Sequence, residues 1–309
     1  MSADKAVEVK GLTVRFGDFI AVDDIGFEVS KGEIFGFLGA NGAGKTTTIR
    51  VLCGLITPSA GAVRVAGLDF GSDAAAVAIK SKVGYMSQKL TIYQDMSVEE
   101  NLEFCANLRK MEPARMKARV KELFDFIQFD TDPKTMVKDL PGGLKQEVSL
   151  AVSMLHDPEI VFLDEPTSGV APAARQRFWQ LIRRVADSGK TVFVTTHYMT
   201  EAEQCGRIAL MRDGKIIALD TPAGLKRTAF PVSLIELSSD KPLSKELLAQ
   251  LKNDPAMRSL VPYGMRWHLE PAQPGSMESL RHRLPAEVEL AEVAPSLEDV
   301  FIRMVEGKR

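Results

Sequence analysis

Ile34-Phe35-Gly36-Phe37-Leu38-Gly39-Ala40-Asn41-Gly42-Ala43-Gly44-Lys45-Thr46-Thr47-Thr48-Ile49-Arg50-Val51-Leu52-Cys53 is the stretch on which the fold turns. Its first five residues are almost continuously apolar, the pattern of a strand covered on both faces in a parallel sheet. A glycine-rich turn follows, then apolar positions at Ile49, Leu52 and Cys53 in helical spacing, with Gly54 as a stop. Strand, glycine turn and helix give the spacing Gly39-x4-Gly44-Lys45-Thr46 the context of a phosphate site. Glycines let backbone N–H groups converge on one anion. The helix beginning near Lys45 adds free N–H donors and the positive end of its dipole. Lys45 is placed to reach β- and γ-phosphates, and the Thr46 hydroxyl to ligate Mg2+.

Working outward, 309 residues suffice for about two domains. The apolar share, 45%, supports a large core, and a net charge of −2 without a long basic run argues against nucleic acid as a partner. No run reaches about 18 apolar residues, so no membrane span is expected. Met1-Ser2-Ala3-Asp4-Lys5 leads straight into a strand pattern without a signal-peptide core. Cys53, Cys105 and Cys205 are widely spaced and read as small buried apolar residues of a reducing compartment.

Upstream of the glycine turn, residues 7–16 alternate like an edge strand, and 21–29 read as its hairpin partner. Phe16 stands just before Gly17 and is either a core ring or a surface on which adenine stacks. Downstream come strands at 62–66 and 82–86, the latter ending at Ser87-Gln88. Ser97 and Glu100 form a capping-box pattern, and Val120, Leu123, Phe124 and Ile127 a helical stripe, so residues about 90–156 are mainly helical. The α/β pattern returns with a strand at 159–165, a helix after Pro172, a strand at 191–195 ending next to His197, and a hairpin about Asp213-Gly214. Beyond about residue 227 short strands (232–237, 265–269, 288–293) and helices (244–252, 277–284, 296–305) alternate. Pro and Gly at 255, 262, 264, 271, 274 and 275 punctuate them, and Ser296 and Asp299 cap the last helix. Such a region is expected to be a small α+β appendage without a catalytic cluster.

Asp164 and Glu165 end a buried strand, where an open parallel sheet gathers its ligands. Asp164 is expected to hold Mg2+, through a water, and Glu165 to act as general base toward an attacking water.

These residues together resemble the ATP-binding subunit of an ABC transporter. The resemblance rests on Gly39 to Thr46, Gln88, the stretch Leu140-Pro141-Gly142-Gly143-Leu144-Lys145-Gln146, Asp164-Glu165-Pro166-Thr167-Ser168-Gly169, and His197, in that order. It covers about residues 5–225. The ending Pro295-Ser296-Leu297-Glu298-Asp299-Val300-Phe301 resembles the tail of bacterial drug and polysaccharide exporter ATPases with a separate membrane subunit.

The resemblance implies an α/β P-loop NTPase cassette at residues 5–226. It has a mixed sheet core, an antiparallel β subdomain and a helical subdomain, followed by an appendage at 227–309. It implies ATP held by Gly39, Ala40, Asn41, Gly42, Ala43, Gly44, Lys45, Thr46 and Thr47, with Phe16 stacked on adenine. Mg2+ would be held by Thr46, Gln88 and Asp164, and hydrolysis carried by Glu165, Gln88 and His197. It also implies a location peripheral to the inner face of the cell membrane. The partners would be a second cassette, facing Pro141, Gly142, Gly143, Leu144, Lys145 and Gln146, and an integral membrane permease. A soluble ABC ATPase and a non-hydrolysing nucleotide-binding regulator are the alternatives; no second cassette or long coiled coil is visible to favour the first.

Three positions depart from the family pattern. Pro141 stands where the family has serine, Glu147 where it has arginine, and Ala171 where it has aspartate. Pro141 has neither hydroxyl nor N–H. A lost hydrogen bond to a charged group is worth about 1.5–3 kcal/mol, roughly ten- to a hundredfold in rate. Glu147 is expected to bring negative charge toward an anion site. The departures affect the side offered to a partner, so an asymmetric dimer with one strong and one weak site is expected, against a homodimer with two weak sites.

Overall fold

The computed structural model describes residues 4–273 and 277–306. Met1–Ala3, Pro274 and Gly275 lie outside the described residues. The chain divides between Leu219 and Asp220 into two compact units, where the sequence pattern changes at 226/227.

The first unit opens with the long strands β1 (Lys5–Phe16) and β2 (Phe19–Ser30), then β3 (Ile34–Leu38) and, after the glycine loop, α1 (Lys45–Leu52). Next come β4 (Ala60–Val65), β5 (Leu68–Asp69), α2 (Asp73–Lys82) and β6 (Val83–Met86). Helices α3 (Val98–Leu108), α4 (Pro113–Ile127) and α5 (Gly142–Met154) precede β7 (Ile160–Asp164), α6 (Pro172–Asp187) and β8 (Thr191–Thr196). The short helix α7 (Met199–Ala202) and the strands β9 (Arg207–Arg212) and β10 (Lys215–Asp220) close the unit.

An antiparallel sheet runs β2-β1-β4-β5, so β1, expected at an edge, lies inside it and β2 takes the edge. The second sheet runs β10-β9-β3-β8-β7-β6, with β9, β3, β8, β7 and β6 parallel. In that register Leu38 lies beside Thr196, Asp164 beside Thr195, and Met86 beside Leu163. The carboxyl ends of β3, β8, β7 and β6 are therefore neighbours, and the segments bearing Gly39–Thr46, Gln88, Asp164-Glu165 and His197 sit at those ends.

Phenylalanines hold the two sheets together. Phe193 on β8 meets Phe37 at 4.9 Å, edge to face, and lies 5.4 Å from Phe35, 5.5 Å from Phe162 and 6.0 Å from Phe27 of β2. All five rings are buried. Aromatic pairs contribute about 0.5–1.5 kcal/mol each beyond area burial. Among the helices, α3 starts with the full capping box, Ser97 accepting from Glu100 N–H and Glu100 from Ser97 N–H. The helix α2 was not legible in the sequence. Its segment is alanine-rich without an apolar stripe, and its signal is the Ser72 hydroxyl, which accepts from Ala75 N–H.

The second unit contains α8 (Pro222–Ala229), β11 (Leu234–Ser238), α9 (Lys245–Lys252), β12 (Met257–Tyr263), β13 (Arg266–Pro271), α10 (Met277–Arg281), β14 (Glu289–Val293) and α11 (Leu297–Glu306). Its antiparallel sheet runs β12-β13-β11-β14. Two elements went unanticipated: α8, and β12, whose alternation Arg258 and Pro262 interrupt. Asp299 caps α11 by accepting from Ser296 N–H at 2.8 Å, and its other oxygen lies 2.7 Å from buried His268 Nδ1 on β13. No helix among the described residues is long and apolar enough to cross a membrane.

Phe193→Ala removes the ring shared by four neighbours. It is expected to lower stability by about 3–5 kcal/mol, read from urea unfolding midpoints.

Candidate active site

The glycine loop is shaped by close approach. A Cβ on Gly39 would fall 2.3 Å from the Met211 carbonyl oxygen of β9, and one on Gly44 2.6 Å from the Ala21 carbonyl oxygen of β2. Gly42 and Gly44 have φ of 83° and 105°, the left-handed region that favours glycine. From the other side Gly214 N–H, in the β9–β10 turn, donates to Ala43 O at 3.1 Å. With the loop so fixed, Gly44 precedes α1 and leaves its first N–H groups facing outward.

Lys45 Nζ donates to Gly39 O at 2.8 Å and Ala40 O at 3.1 Å, and lies 3.2 Å from Glu165 Oε1. Glu165 follows β7 with φ of 47°, unusual for a residue with a side chain. Thr195 holds it there: Glu165 N–H donates to Thr195 O at 3.1 Å and to Thr195 Oγ1 at 3.0 Å. The turn aims the carboxylate at three groups. Besides Lys45, Gln88 Nε2 donates to Oε2 at 3.1 Å, and His197 Nδ1 lies 3.2 Å from the same oxygen. The sequence placed these four residues on separate loops; the sheet gathers them on one buried carboxylate.

Asp164 is fully buried. Its Oδ1 accepts from Thr46 Oγ1 at 3.1 Å and Thr195 Oγ1 at 2.7 Å. Its Oδ2 has no hydrogen-bond partner among the described residues. A hydroxyl, a carboxylate with a free oxygen and a nearby amide make a hard oxygen set. That set suits a cation such as Mg2+, which completes its shell with phosphate oxygens and water. No group of three or more His, Cys, Asp or Glu among the described residues is arranged to hold a metal by itself.

A cavity of about 440 Å3 opens over the loop, lined by Phe19, Ala21, Asn41, Gly42, Gly44, Lys45, Thr46, Thr47, Gln88 and Glu165. Phe19 was not anticipated. It pairs across the hairpin end with Phe16, and both rings are exposed, 63% and 52%. Phe16 is thus a surface ring, and it does not line this cavity. Thr195 also escaped the sequence reading, although two threonines directly before His197 were its signal.

On the signature stretch, Pro141 is the N-cap of α5, without a side-chain cap bond, and is exposed with Gly142. Gly143, Leu144, Lys145 and Gln146 are half-buried, and Lys145 Nζ donates to Lys138 O. Gly143 lets α5 approach α6, since a Cβ there would fall 2.6 Å from Ala174 Cβ. Glu147 corrects an expectation. It is buried, 3% exposed, and paired with Arg177 of α6 at 2.9 Å, so its charge is matched inside the unit. Burial holds its carboxyl above the usual range, partly offset by Arg177. Ala171 is the N-cap of α6, also without a side-chain cap bond.

A family profile described as ABC transporter matches residues 22–168. The probable multidrug ABC transporter ATP-binding protein YbhF of Escherichia coli (strain K12) is 42% identical over 72% of this chain, which spans only 38% of that relative's length. The Nod factor export ATP-binding protein I of Rhizobium leguminosarum bv. viciae is 33% identical over 97% of this chain and 94% of its own. Among solved structures, CbiO1 from Clostridium perfringens, part of the ABC transporter complex CbiONQ, aligns with TM-score 0.67. It covers 72% of this chain and 90% of its own at 23% identity. The dimeric, post-hydrolysis ATP-binding cassette MJ0796 bound to ADP and Pi aligns with TM-score 0.63 over 70% and 98%, also at 23% identity. These two carry the fold, an ATP-binding cassette of mixed α/β architecture. With near full-length identity above 30%, the chain belongs to the ABC transporter family of ATP-binding proteins.

Proposed function

We propose that this chain is the ATP-hydrolysing subunit of an exporter. It acts as one of two cassettes, on the inner face of the membrane, against a separate membrane subunit. The observation that carries hydrolysis is the convergence of Lys45, Gln88 and His197 on Glu165 above the glycine loop. The multidrug and Nod factor export relatives and the Pro295–Phe301 tail support export. The first unit is the hydrolytic engine and the second an appendage to it.

With a triphosphate in the loop, Lys45 exchanges the Gly39 and Ala40 carbonyls for β- and γ-phosphate oxygens, and the N–H groups of residues 42–47 take the rest of the charge. Thr46, Asp164 and Gln88 would hold Mg2+, which when bound neutralises charge on the phosphate oxygens. Glu165 orients the attacking water and accepts its proton, while His197 and Gln88 fix its carboxylate. Phe16 keeps the base-stacking role: Phe19 lines the phosphate cavity, and the base lies at the far end of the nucleotide.

In the partner-facing stretch, the serine hydroxyl missing at Pro141 weakens the site that this chain completes for a neighbour. Its own glycine loop and carboxylates are intact, which favours an asymmetric pair. The membrane subunit docks near Gln88 and residues 90–105, where Tyr93 is exposed and packs edge to face on Phe104.

Glu165→Gln is expected to cut turnover by about 10²–10⁴-fold while ATP stays bound, measured by phosphate release and retained nucleotide. Unaltered, negligible turnover in both proteins would favour the regulator instead. Phe16→Ala should raise the Kd for ATP roughly five- to hundredfold, by titration calorimetry. Pro141→Ser should stabilise α5 by about 1 kcal/mol in thermal melts and raise the turnover of the chain alone roughly tenfold or more.

A further inference from the structure

We propose that Glu201 is a positioning residue for hydrolysis, a single buried carboxylate that fixes the segments carrying Glu165 and His197 against one another. It rests on the roles assigned above to those two residues.

Glu201 sits on the four-residue helix α7 and is 1% exposed. Oε1 accepts from the Thr167 hydroxyl, two residues beyond Glu165. Oε2 accepts from the Thr196 hydroxyl at 2.7 Å, directly before His197. Thr167 and Thr196 are themselves buried, so neither hydroxyl has water as a substitute. Arg175 of α6 supplies the opposing charge, 3.5 Å from Oε1. The same guanidinium lies 3.9 Å over the Tyr198 ring, and that ring lies 4.1 Å from the His197 imidazole. Tyr198 N–H donates to Thr196 Oγ1 at 3.0 Å, closing the turn that presents His197.

A buried carboxylate is costly unless its oxygens are matched. Here each oxygen is matched by a hydroxyl from a different catalytic segment. The 3.2 Å separation of His197 Nδ1 and Glu165 Oε2 is set behind the site, by a residue that touches neither nucleotide loop nor water. Losing the carboxylate frees both segments while the glycine loop, held by Met211, Ala21 and Gly214, stays in place.

The test uses the full chain with Glu201→Ala, Glu201→Gln and Thr196→Val. Glu201→Gln keeps the volume, and Thr196→Val removes one hydroxyl, both its donation to Glu201 and its acceptance from Tyr198 N–H, should the alanine variant not fold. The Kd for ATP is expected within about twofold of wild type, while kcat falls about tenfold or more. Glu201→Ala added to His197→Ala should cost less than about threefold further, because both act through the one contact between His197 and Glu165. In long-range 1H–15N spectra, which need no turnover, the His197 resonances should move while those of His156 and His268 stay. An unchanged kcat, costs that multiply in the double variant, or a kcat loss that follows a fall in melting temperature and in ATP affinity would overturn the proposal. If Glu165→Gln and His197→Ala also leave turnover at the wild-type level, the catalytic assignment has failed. If they abolish it and Glu201→Ala does not, only the role of Glu201 has failed.

Discussion

The site depends on one backbone turn. Glu165 is the first residue past β7, and in an ordinary conformation its side chain would alternate away from Asp164 along the strand direction. Instead it is bent into the left-handed region and held by the carbonyl and the hydroxyl of Thr195 on the neighbouring strand. Such a conformation costs about 1–3 kcal/mol and persists only where the surroundings over-determine it. Thr195 does so twice, since its hydroxyl also donates to Asp164. One threonine thus fixes both carboxylates, the first beside Thr46 and the second toward Lys45, Gln88 and His197.

Much of this was legible, for a physical reason. Parallel strands buried on both faces are written as nearly unbroken apolar runs, and their carboxyl ends are where a single loop residue stands out. Gly39–Thr46, Asp164-Glu165 and His197 each follow such a run. What stayed hidden depends on pairing between distant segments. Neither the inner position of β1 nor the support from Thr195 and Glu201 can be read from local spacing. Phe19 was hidden because an exposed ring on a hairpin looks like any surface residue until the loop beneath it is in place. The alanine-rich α2 and the interrupted β12 lacked the apolar periodicity by which the other elements were read.

The helices α1, α5 and α6 differ in how they begin. The N-terminus of α1 is kept open by glycine, its donors turned toward the cavity. The starts of α5 and α6, at Pro141 and Ala171, simply lack side-chain caps, and both lie on the stretches that the family presents across a cassette pair. The missing side-chain oxygen leaves each local helix start without a cap and, on the function proposed above, also weakens the contact offered to a neighbour. The chain's own nucleotide cradle is untouched by either.

The Glu147–Arg177 pair makes one of these departures hard to reverse. Reinstating the family's arginine at 147 by a single change would set one guanidinium, at a buried position, against the exposed one of Arg177, while changing Arg177 first would leave a buried carboxylate without its partner. Either single change breaks the ion pair, so exchanging it cleanly takes two coordinated substitutions. The pair ties the two helices' side chains together, so neither position can be altered as if it stood alone.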